Sequence, residues 1–287
     1  MPNTRNEWTV LSMLEWATSY FDEKGVKSSR LSIEWLLAYV LNIKRLDLYL
    51  KYDRPLTSDE LAELRPLVKR RASHEPLQYI TGEAEFFNSI LKVNSEVLIP
   101  RQETEQLVQL ICEENKGADT ISVLDIGTGS GCIPISLKKE FKSWNVFGID
   151  ISDGALSLAK ENASINEVEV HFLKHDLFDP DLLLTENKFD IIISNPPYIL
   201  QEEKNGLDKE VKDFEPHLAL FCKSTIEMFS SIENFCAKNL KKNGVIYLEI
   251  HEDYSEEVLD IFIAQNWNAR TVQDLDKKDR FVVVRRP

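Results

Sequence analysis

The stretch FDIIISNPPYIL, Phe189 to Leu200, ends an apolar run on four residues that could act together: Asn195, Pro196, Pro197 and Tyr198. Proline has no amide hydrogen for a sheet ladder and holds φ near one value, so two in succession make this backbone rigid. The side-chain carbonyl of Asn195 could accept one N–H bond of a planar nitrogen, and the Pro196 carbonyl could accept the other. The nitrogen could belong to a carboxamide or to a ring-attached amino group. The Tyr198 ring could cover its flat face. Such a clamp would orient a weak nucleophile toward a methyl donor without a strong base, because the proton can leave after transfer.

A glycine-rich loop, VLDIGTGSGCI, follows the first strand of the predicted sheet. Gly127, Gly129 and Gly131 allow a tight turn and a close approach of the backbone to a bound cofactor. Cys132 stands where a dinucleotide-binding fingerprint has its third glycine, which weakens an NAD interpretation. Asp125, just before the loop, could bind a cationic or amino group, which a pyrophosphate site would not favour.

Carboxylates also follow the next two predicted strands. Asp150 ends the second strand, where it could accept hydrogen bonds from both ribose hydroxyls. Asp176 ends the third, in KHDLF, where it could accept from an adenine amino group while Leu177 or Phe178 covers the ring. Strand ends of an open α/β sheet line one crevice, so these acids and Asp125 together predict a site for a nucleoside cofactor.

An α/β domain is required to bring these residues together. From residue 101 onward, apolar runs alternate with helical segments: ISVLDI, NVFGID, VEVHFL, FDIIISN, VIYLEI, ARTVQD and RFVVVRR. This alternation predicts a mainly parallel, seven-stranded sheet with helices on both faces. The turn LDKKDR is too short for a parallel crossover, so we expect the last strand to be antiparallel.

Residues 1–75 carry helical periodicity and predict a small bundle or a partner-docking module. In the first helix, Trp8, Leu11, Leu14 and Ala17 are expected on one face.

Local signals mark the ends of these helices and the start of a linker. Gly25 is a plausible helix stop, and Thr57 with Glu60 forms a capping-box signature. Pro66 would kink or split the third helix. Residues 76–100 carry short β-prone pieces between Gly, Asn and Ser breaks, which predicts a hairpin linker before a third region, 101–287.

The charge of the chain is strongly acidic. Its 34 basic and 48 acidic residues leave a formal net charge of −14, which disfavours nucleic acid as a substrate. The one compact basic stretch, Lys69 to Arg71, is expected to be a solvated helix end.

Other function classes lack support in the composition. The 4 cysteines are scattered, which predicts reduced and mostly buried thiols, and the histidines lack ligand spacing, so no metal is expected. No apolar stretch approaches membrane-spanning length and the start has no signal pattern, so we expect a cytoplasmic protein without a membrane partner.

Together, ISVLDIGTGSGCI, the acids after the second and third strands, and SNPPYI resemble a class I S-adenosylmethionine-dependent methyltransferase. LDLYLKYDRPLT, EPLQYITGEAEFF, VLIPRQETE and VKDFEPHLAL further resemble the HemK-type protein-(glutamine) methyltransferases, from about Ser28 to the C-terminus. The resemblance implies a Rossmann-like catalytic domain, S-adenosyl-L-methionine as cofactor, and the glutamine of the Gly-Gly-Gln motif in peptide-chain release factors as substrate. It also implies that the N-terminal helices grip the release factor; we expect a monomer.

By position, the resemblance implies two sets of site residues. The cofactor set is Asp125, Gly127, Thr128, Gly129, Ser130, Gly131, Asp150, Asp176, Leu177 and Asn195. The catalytic and substrate set is Asn195, Pro196, Pro197 and Tyr198, with Arg101 and Thr104 in a segment that closes over the site.

The sequence departs from this family's pattern in three places: Phe221 to Phe229, His251, and Lys277 with Lys278. None is a methyl-transfer residue, but each bears on how a substrate protein docks. Two other functions stay open: an adenine-amino methyltransferase acting on DNA or RNA, which would need a basic groove and base flipping, and a non-catalytic cofactor-binding module.

Overall fold

The computed structural model describes residues 7–179 and 188–286. They form two compact units. Among the described residues, those within Met1–Gly82 and Asp208–Phe214 form the helical unit, and those within Glu83–Leu207 and Glu215–Pro287 form the sheet unit.

The regular elements of the described residues are as follows. The helices are α1 Val10–Lys24, α2 Ser29–Leu41, α3 Ser58–Ala72, α4 Leu77–Thr81, α5 Gln102–Glu114, α6 Cys132–Glu140, α7 Asp153–Ile165, α8 Lys209–Phe214, α9 His217–Leu220, α10 Thr225–Asn239 and α11 Ser255–Ile263. The strands are β1 Glu83–Phe86, β2 Ser89–Lys92, β3 Ser122–Ile126, β4 Asn145–Asp150, β5 His171–Lys174, β6 Phe189–Ser194, β7 Ile199–Leu200, β8 Phe221–Cys222, β9 Leu240–Glu249, β10 Asn268–Gln273 and β11 Asp279–Arg285. Within the described ranges, no helix combines the length and the apolar character needed to cross a bilayer.

The predicted helix ends of the helical unit are confirmed. Gly25 ends α1 with φ of 72°, in the left-handed region that glycine adopts readily. The capping box of Thr57 and Glu60 begins α3. The expected split of this helix at Pro66 is wrong, because α3 continues through Pro66 to Ala72.

The predicted buried face of α1 is only half right. Leu14 and Ala17 are buried, but Leu11 is only half-buried and Trp8 precedes the helix. Thr9 caps the helix, and its buried residues lie three and four apart, as 3.6 residues per turn requires: Val10, Met13, Leu14, Ala17 and Phe21.

The expectation that Arg71 belongs to a solvated helix end is wrong. Arg71 is 4% exposed, and its guanidinium donates to Ser32 Oγ at 3.0 Å and to Glu210 Oε1 at 2.7 Å. A buried guanidinium is tolerated only where its N–H groups find acceptors, and the Glu75 carbonyl accepts a further one at 2.9 Å. Lys69 stays exposed.

The sheet unit is built around a sheet that has seven strands among the described residues. The strands lie side by side in the order β10-β11-β9-β6-β3-β4-β5. β9, β6, β3, β4 and β5 are parallel, and β11 pairs antiparallel with β9 and β10, so the predicted fold class is confirmed. One face packs with α5, α6 and α7, and the other with α10 and α11. The third predicted strand is shorter than expected, since β5 covers only His171–Lys174.

The residues of the predicted linker, 76–100, include the short helix α4 and a two-stranded hairpin. β1 and β2 pair antiparallel, with Phe86 opposite Ser89. Asn162 on α7 holds the backbone of Lys92 at the end of this hairpin: its Oδ1 accepts from Lys92 N at 2.7 Å and its Nδ2 donates to Lys92 O at 3.0 Å.

A buried carboxylate joins three parts of the helical unit. Glu34 is 3% exposed and accepts from Arg30 Nε at 2.9 Å, Arg45 Nη1 at 2.7 Å and the Tyr49 hydroxyl at 3.0 Å. Burial alone raises the pKa of Glu34, but these three donors hold it below its ordinary value.

We expect Glu34→Ala to lower the free energy of unfolding of the helical unit by about 1–3 kcal/mol, because three donors lose an acceptor. The folded-state pKa lies below the unfolded one, so this contribution is present above the unfolded pKa and is lost as the pH falls through the folded pKa. In urea denaturation, the difference from wild type should therefore shrink as the pH falls from neutral to about 3. Glu63, exposed on α3, provides the control; an equal loss in Glu63→Ala would contradict the role of Glu34.

Candidate active site

A cavity of about 500 Å³ opens at the carboxyl ends of β3, β4 and β6, and all of its lining residues belong to the sheet unit. Cavities of this size bind small molecules. Most of the predicted site residues line it: Arg101, Thr104, Gly127, Thr128, Gly129, Ser130, Asp150, Asp176, Leu177, Asn195, Pro196 and Pro197. Asp125, Gly131 and Tyr198 are not among the lining residues.

The glycine-rich loop turns sharply at the end of β3. The amides of Gly127 and Thr128 both donate to Ile149 O at 2.9 Å, which ties the loop to β4. Gly127 and Gly129 have φ of 72° and 53°, and a Cβ at either would meet nothing within 4 Å. Gly131 is different, since a Cβ there would lie 3.0 Å from Ile135 Cδ1. Its lack of a side chain therefore allows close packing of α6.

A group of polar atoms beneath this loop has no partner among the described residues. Both carboxyl oxygens of Asp125 and the hydroxyls of Thr128 and Ser130 are buried without a hydrogen bond there. Burial and, to a smaller extent, the nearby Asp150 carboxylate raise the pKa of Asp125 to about 8. A buried polar group without a partner is costly, so this cluster is suited to a cationic or hydrogen-bonding ligand.

The Asp150 carboxylate is positioned by the backbone around it. Its Oδ2 accepts from Gly129 N at 2.8 Å and its Oδ1 from Ser152 N at 2.9 Å. An ionised carboxylate offers about four acceptor sites, so each oxygen can still accept from a ligand hydroxyl.

The residues after β5 form another part of the cavity wall. Asp176 lies two residues beyond the strand, where its Oδ1 accepts from Phe178 N at 2.9 Å. Leu177 and Phe178 both line the cavity. His175 lines it too, which the sequence analysis did not anticipate. Its Nε2 is buried and lacks a partner in the described chain, and burial lowers its pKa.

The clamp residues follow β6 directly. Asn195 Nδ2 donates to Thr104 Oγ1 at 3.1 Å, and Thr104 Oγ1 donates to Glu249 Oε2 at 2.7 Å. Within residues 7–179 and 188–286, no donor bonds to Asn195 Oδ1 or to the Pro196 carbonyl. The arrangement thus presents two acceptors at the edge of the cavity.

Tyr198 lies beside an aromatic residue at one of the departures from the family pattern. Its ring is 5.9 Å from that of His251, which is 5.4 Å from Tyr254. Burial raises the pKa of Tyr198, so its hydroxyl stays protonated at neutral pH.

The other departures also have defined positions. Phe221 opposes Ile199 in the parallel pair of β8 and β7, so this segment contacts the residues just after the clamp. Lys277 has φ of 64°, a left-handed conformation that glycine would adopt with less strain.

A buried carboxylate outside the linker, to which no role was assigned from the sequence, holds the end of the linker. Glu215, 4% exposed, accepts from Ile99 N at 3.2 Å and pairs with Arg101. Ser95, Glu96, Val97 and Leu98 line the cavity from the same linker. The stretches VLIPRQETE and VKDFEPHLAL contain both sides of this contact, but nothing in their spacing indicated that they meet.

The structure offers no candidate metal centre in its described part, where no group of three or more His, Cys, Asp or Glu side chains is arranged to hold an ion.

Solved structures of methyltransferases share this fold. The hMettl16 catalytic domain, in complex with MAT2A 3'UTR hairpin 1, aligns with a TM-score of 0.55 at 16% identity, covering 82% of this chain and 83% of that one. The 16S rRNA N2 G1207 methyltransferase (RsmC) of T. thermophilus, in complex with AdoMet and guanosine, aligns with a TM-score of 0.51 at 17% identity, covering 71% of this chain and 50% of that one. At these identities the likeness concerns the fold alone.

Sequence comparisons give more similar relatives than the structural comparisons do. Residues 12–82 match the PrmC N-terminal domain and residues 102–212 the methyltransferase small domain. A release factor glutamine methyltransferase of Leptospira interrogans is 39% identical over 283 residues, covering 97% of this chain and 98% of that protein. Those of Geobacter sulfurreducens (38% identical, covering 96% of both proteins) and Lactococcus lactis (43% identical, covering 80% of this chain and 84% of the relative) are also similar. The chain belongs to the release factor glutamine methyltransferase family.

Proposed function

We propose that this protein transfers a methyl group from S-adenosyl-L-methionine to the side-chain amide nitrogen of the glutamine in the Gly-Gly-Gln motif of peptide-chain release factors. The names of its relatives support this activity. The reaction would take place in the cytoplasm, with the enzyme acting as a monomer on the release factor.

The observation that carries this proposal is the fixed direction of the Asn195 amide. Its Nδ2 donates to Thr104 Oγ1 at 3.1 Å, so Oδ1 is turned away from Thr104, and Asn195 and Pro196 both line the cavity. A primary carboxamide has two N–H donors in one plane, and two acceptors held by rigid backbone match them.

The residues around the glycine-rich loop fit the proposed cofactor. The buried Asp125 carboxyl, together with the hydroxyls of Thr128 and Ser130, would satisfy its amino and carboxylate groups. Asp150 would accept from its ribose hydroxyls, and Asp176 with Leu177 would hold its adenine. When bound, this cofactor supplies an electrophilic methyl group.

The contribution of the protein to the reaction is positioning and electrostatic stabilisation. Asn195 Oδ1 and the Pro196 carbonyl would orient the nitrogen lone pair and stabilise the positive charge that develops on the nitrogen. Pro197 keeps the backbone rigid, and Tyr198 would shield the amide from water. No general base is needed, because methyl transfer leaves the amide nitrogen positively charged, and this cation is acidic enough to lose one N–H proton to water.

We also propose that the helical unit helps to bind the release factor. Large apolar side chains are exposed in its segment 31–50, among them Trp35 (37%), Leu46 (68%) and Leu50 (87%). Exposed apolar groups of this kind often mark protein interaction sites.

The proposed activity is tested with labelled S-adenosylmethionine and, in separate reactions, release factor, release factor with its target glutamine replaced, and nucleic acid. We expect label only on the intact release factor. In Asn195→Ala, kcat should fall by about 10²–10³-fold through loss of one acceptor, far more than the affinity for the cofactor falls. Asn234→Ala, which removes an exposed α10 amide, is the matched control.

Two outcomes would contradict the proposal. Label on nucleic acid alone would indicate an adenine-amino methyltransferase. Cofactor binding without label on any substrate would favour a non-catalytic binding module.

Cofactor affinity should also depend on Gly148, which lies opposite Asp125 in the sheet. A Cβ at Gly148 would lie 2.8 Å from Thr128 Oγ1 and 2.9 Å from the Phe172 ring. We expect Gly148→Ala to cost about 1–3 kcal/mol in strain and to weaken cofactor binding measured by calorimetry. Gly206→Ala, with open space around its Cβ, should leave binding unchanged. Equal affinities for the two variants would argue against a cofactor at this loop.

The role of the helical unit is tested by a double substitution, Leu46→Ser with Leu50→Ser. If these side chains are buried against the release factor, KM for that substrate should rise by about tenfold or more while cofactor Kd stays constant. Leu275→Ser, at a leucine that is 85% exposed in the sheet unit, is the control. An unchanged KM in the double variant would exclude this surface from docking.

A further inference from the structure

Two buried side chains, Glu249 and Thr104, form a hydrogen-bonded series with the half-buried Asn195 of the clamp. Glu249 is 2% exposed and Thr104 is 3% exposed. Glu249 Oε2 accepts from Thr104 Oγ1 at 2.7 Å, and Thr104 Oγ1 accepts from Asn195 Nδ2 at 3.1 Å. Glu249, the last residue of β9, has no role in the predicted site.

The direction of each hydrogen bond in this series follows from the proton inventory. A threonine hydroxyl has one proton and two lone pairs. An ionised carboxylate can only accept, so Thr104 donates its single proton to Glu249. What Thr104 can still offer Asn195 is a lone pair, and the amide must therefore direct its NH₂ group toward Thr104 and its oxygen outward.

We propose that Glu249 is a positioning residue that determines, through Thr104, which end of the Asn195 amide faces the substrate. This inference rests on the proposed function, since it explains how the clamp acquires an acceptor rather than a donor. An amide turned by 180° would present NH₂ to the N–H groups of the substrate, and the two would repel.

Protonation of Glu249 would abolish this fixed orientation of the Asn195 amide. A carboxylic acid can donate to Thr104, whose own proton is then available to Asn195 Oδ1. The orientation that aligns the substrate amide for methyl transfer therefore requires ionised Glu249.

The charged and titratable groups around Glu249 come from several elements. Arg101 and Glu103 precede or begin α5, Cys132 begins α6, Tyr198 follows β6, and Arg280 lies on β11. The two arginines favour the ionised form and Glu103 opposes it. Burial is the larger effect and raises the pKa of Glu249 to about 7. Activity should thus increase as the pH rises through about 7, where the carboxyl loses its proton.

The kinetic test uses the full-length enzyme and intact release factor. In Thr104→Val and in Glu249→Gln, kcat should fall by about 10–100-fold, while KM for the release factor and cofactor Kd change by less than about threefold. Thr104→Ser keeps the hydroxyl and should retain most of kcat. Glu233→Gln, at a buried carboxylate that accepts from Trp267 Nε1 at 2.8 Å, is the matched control and should behave as wild type.

The pH profile separates this role from a merely structural one. Wild-type kcat should fall on the acidic side of a pKa near 7, whereas the residual activity of Thr104→Val and Glu249→Gln should lack that transition. Wild-type kcat and an unchanged pH profile in both variants would overturn the proposal.

A second readout does not depend on activity. With ¹⁵N-asparagine labelling, the side-chain NH₂ resonances of Asn195, assigned by their loss in Asn195→Ala, should shift with pH around 7 in wild type and not in Glu249→Gln. Resonances that do not shift, or that shift equally in Glu249→Gln, would overturn the proposal. If wild type methylates no release factor but the resonances titrate as expected, the series stands and the proposed function fails.

Discussion

Parallel pairing of β3 with β4 and β6 is the constraint on which the rest of the site depends. Asp125 lies opposite both Gly148 and Ile193, and Ile126 lies opposite Ile149 and Ser194. With this register, the chain leaves the three strands at one level of the sheet. The glycine loop, Asp150 and Asn195 therefore meet around one cavity, although they are far apart in sequence. A shift of one residue in any strand would turn the corresponding side chain to the opposite face.

Polar groups at this edge are of two kinds. Asp125, Thr128 and Ser130 are buried without partners in the described chain, an arrangement that costs stability and is relieved when a ligand binds. Thr104 and Glu249, equally buried, are hydrogen-bonded to each other, and Thr104 Oγ1 also accepts from Asn195 Nδ2. The first kind provides a place for a cofactor. The second kind holds the Asn195 amide in one orientation, so the loss of conformational entropy on aligning this amide occurs on folding and not when the substrate binds.

Much of the fold could be predicted because its signals are local. The capping box at Thr57, the left-handed glycine at position 25 and the alternation of apolar runs each depend on a few neighbouring residues. The buried face of α1 was half wrong, because the helix begins after Trp8 and its buried residues follow spacings of both three and four, where the prediction used three alone. The burial of Arg71 could not be seen from the sequence, since two of its acceptors, Ser32 and Glu210, are 39 and 139 residues away.

The sequence by itself determined the fold class, the glycine turn and the rigid Asn-Pro-Pro-Tyr segment at a strand end, because strand periodicity and backbone stereochemistry act over short distances. Only the tertiary structure decided which residues stand behind that segment. Thr104 and Glu249 are separated by 145 residues, and Thr104 and Asn195 by 91. Their contact follows from the order of β9 and β6 in the sheet and from the place where α5 packs on it. Strand order is a property of the assembled chain, so the side chains that orient the amide became visible only in three dimensions.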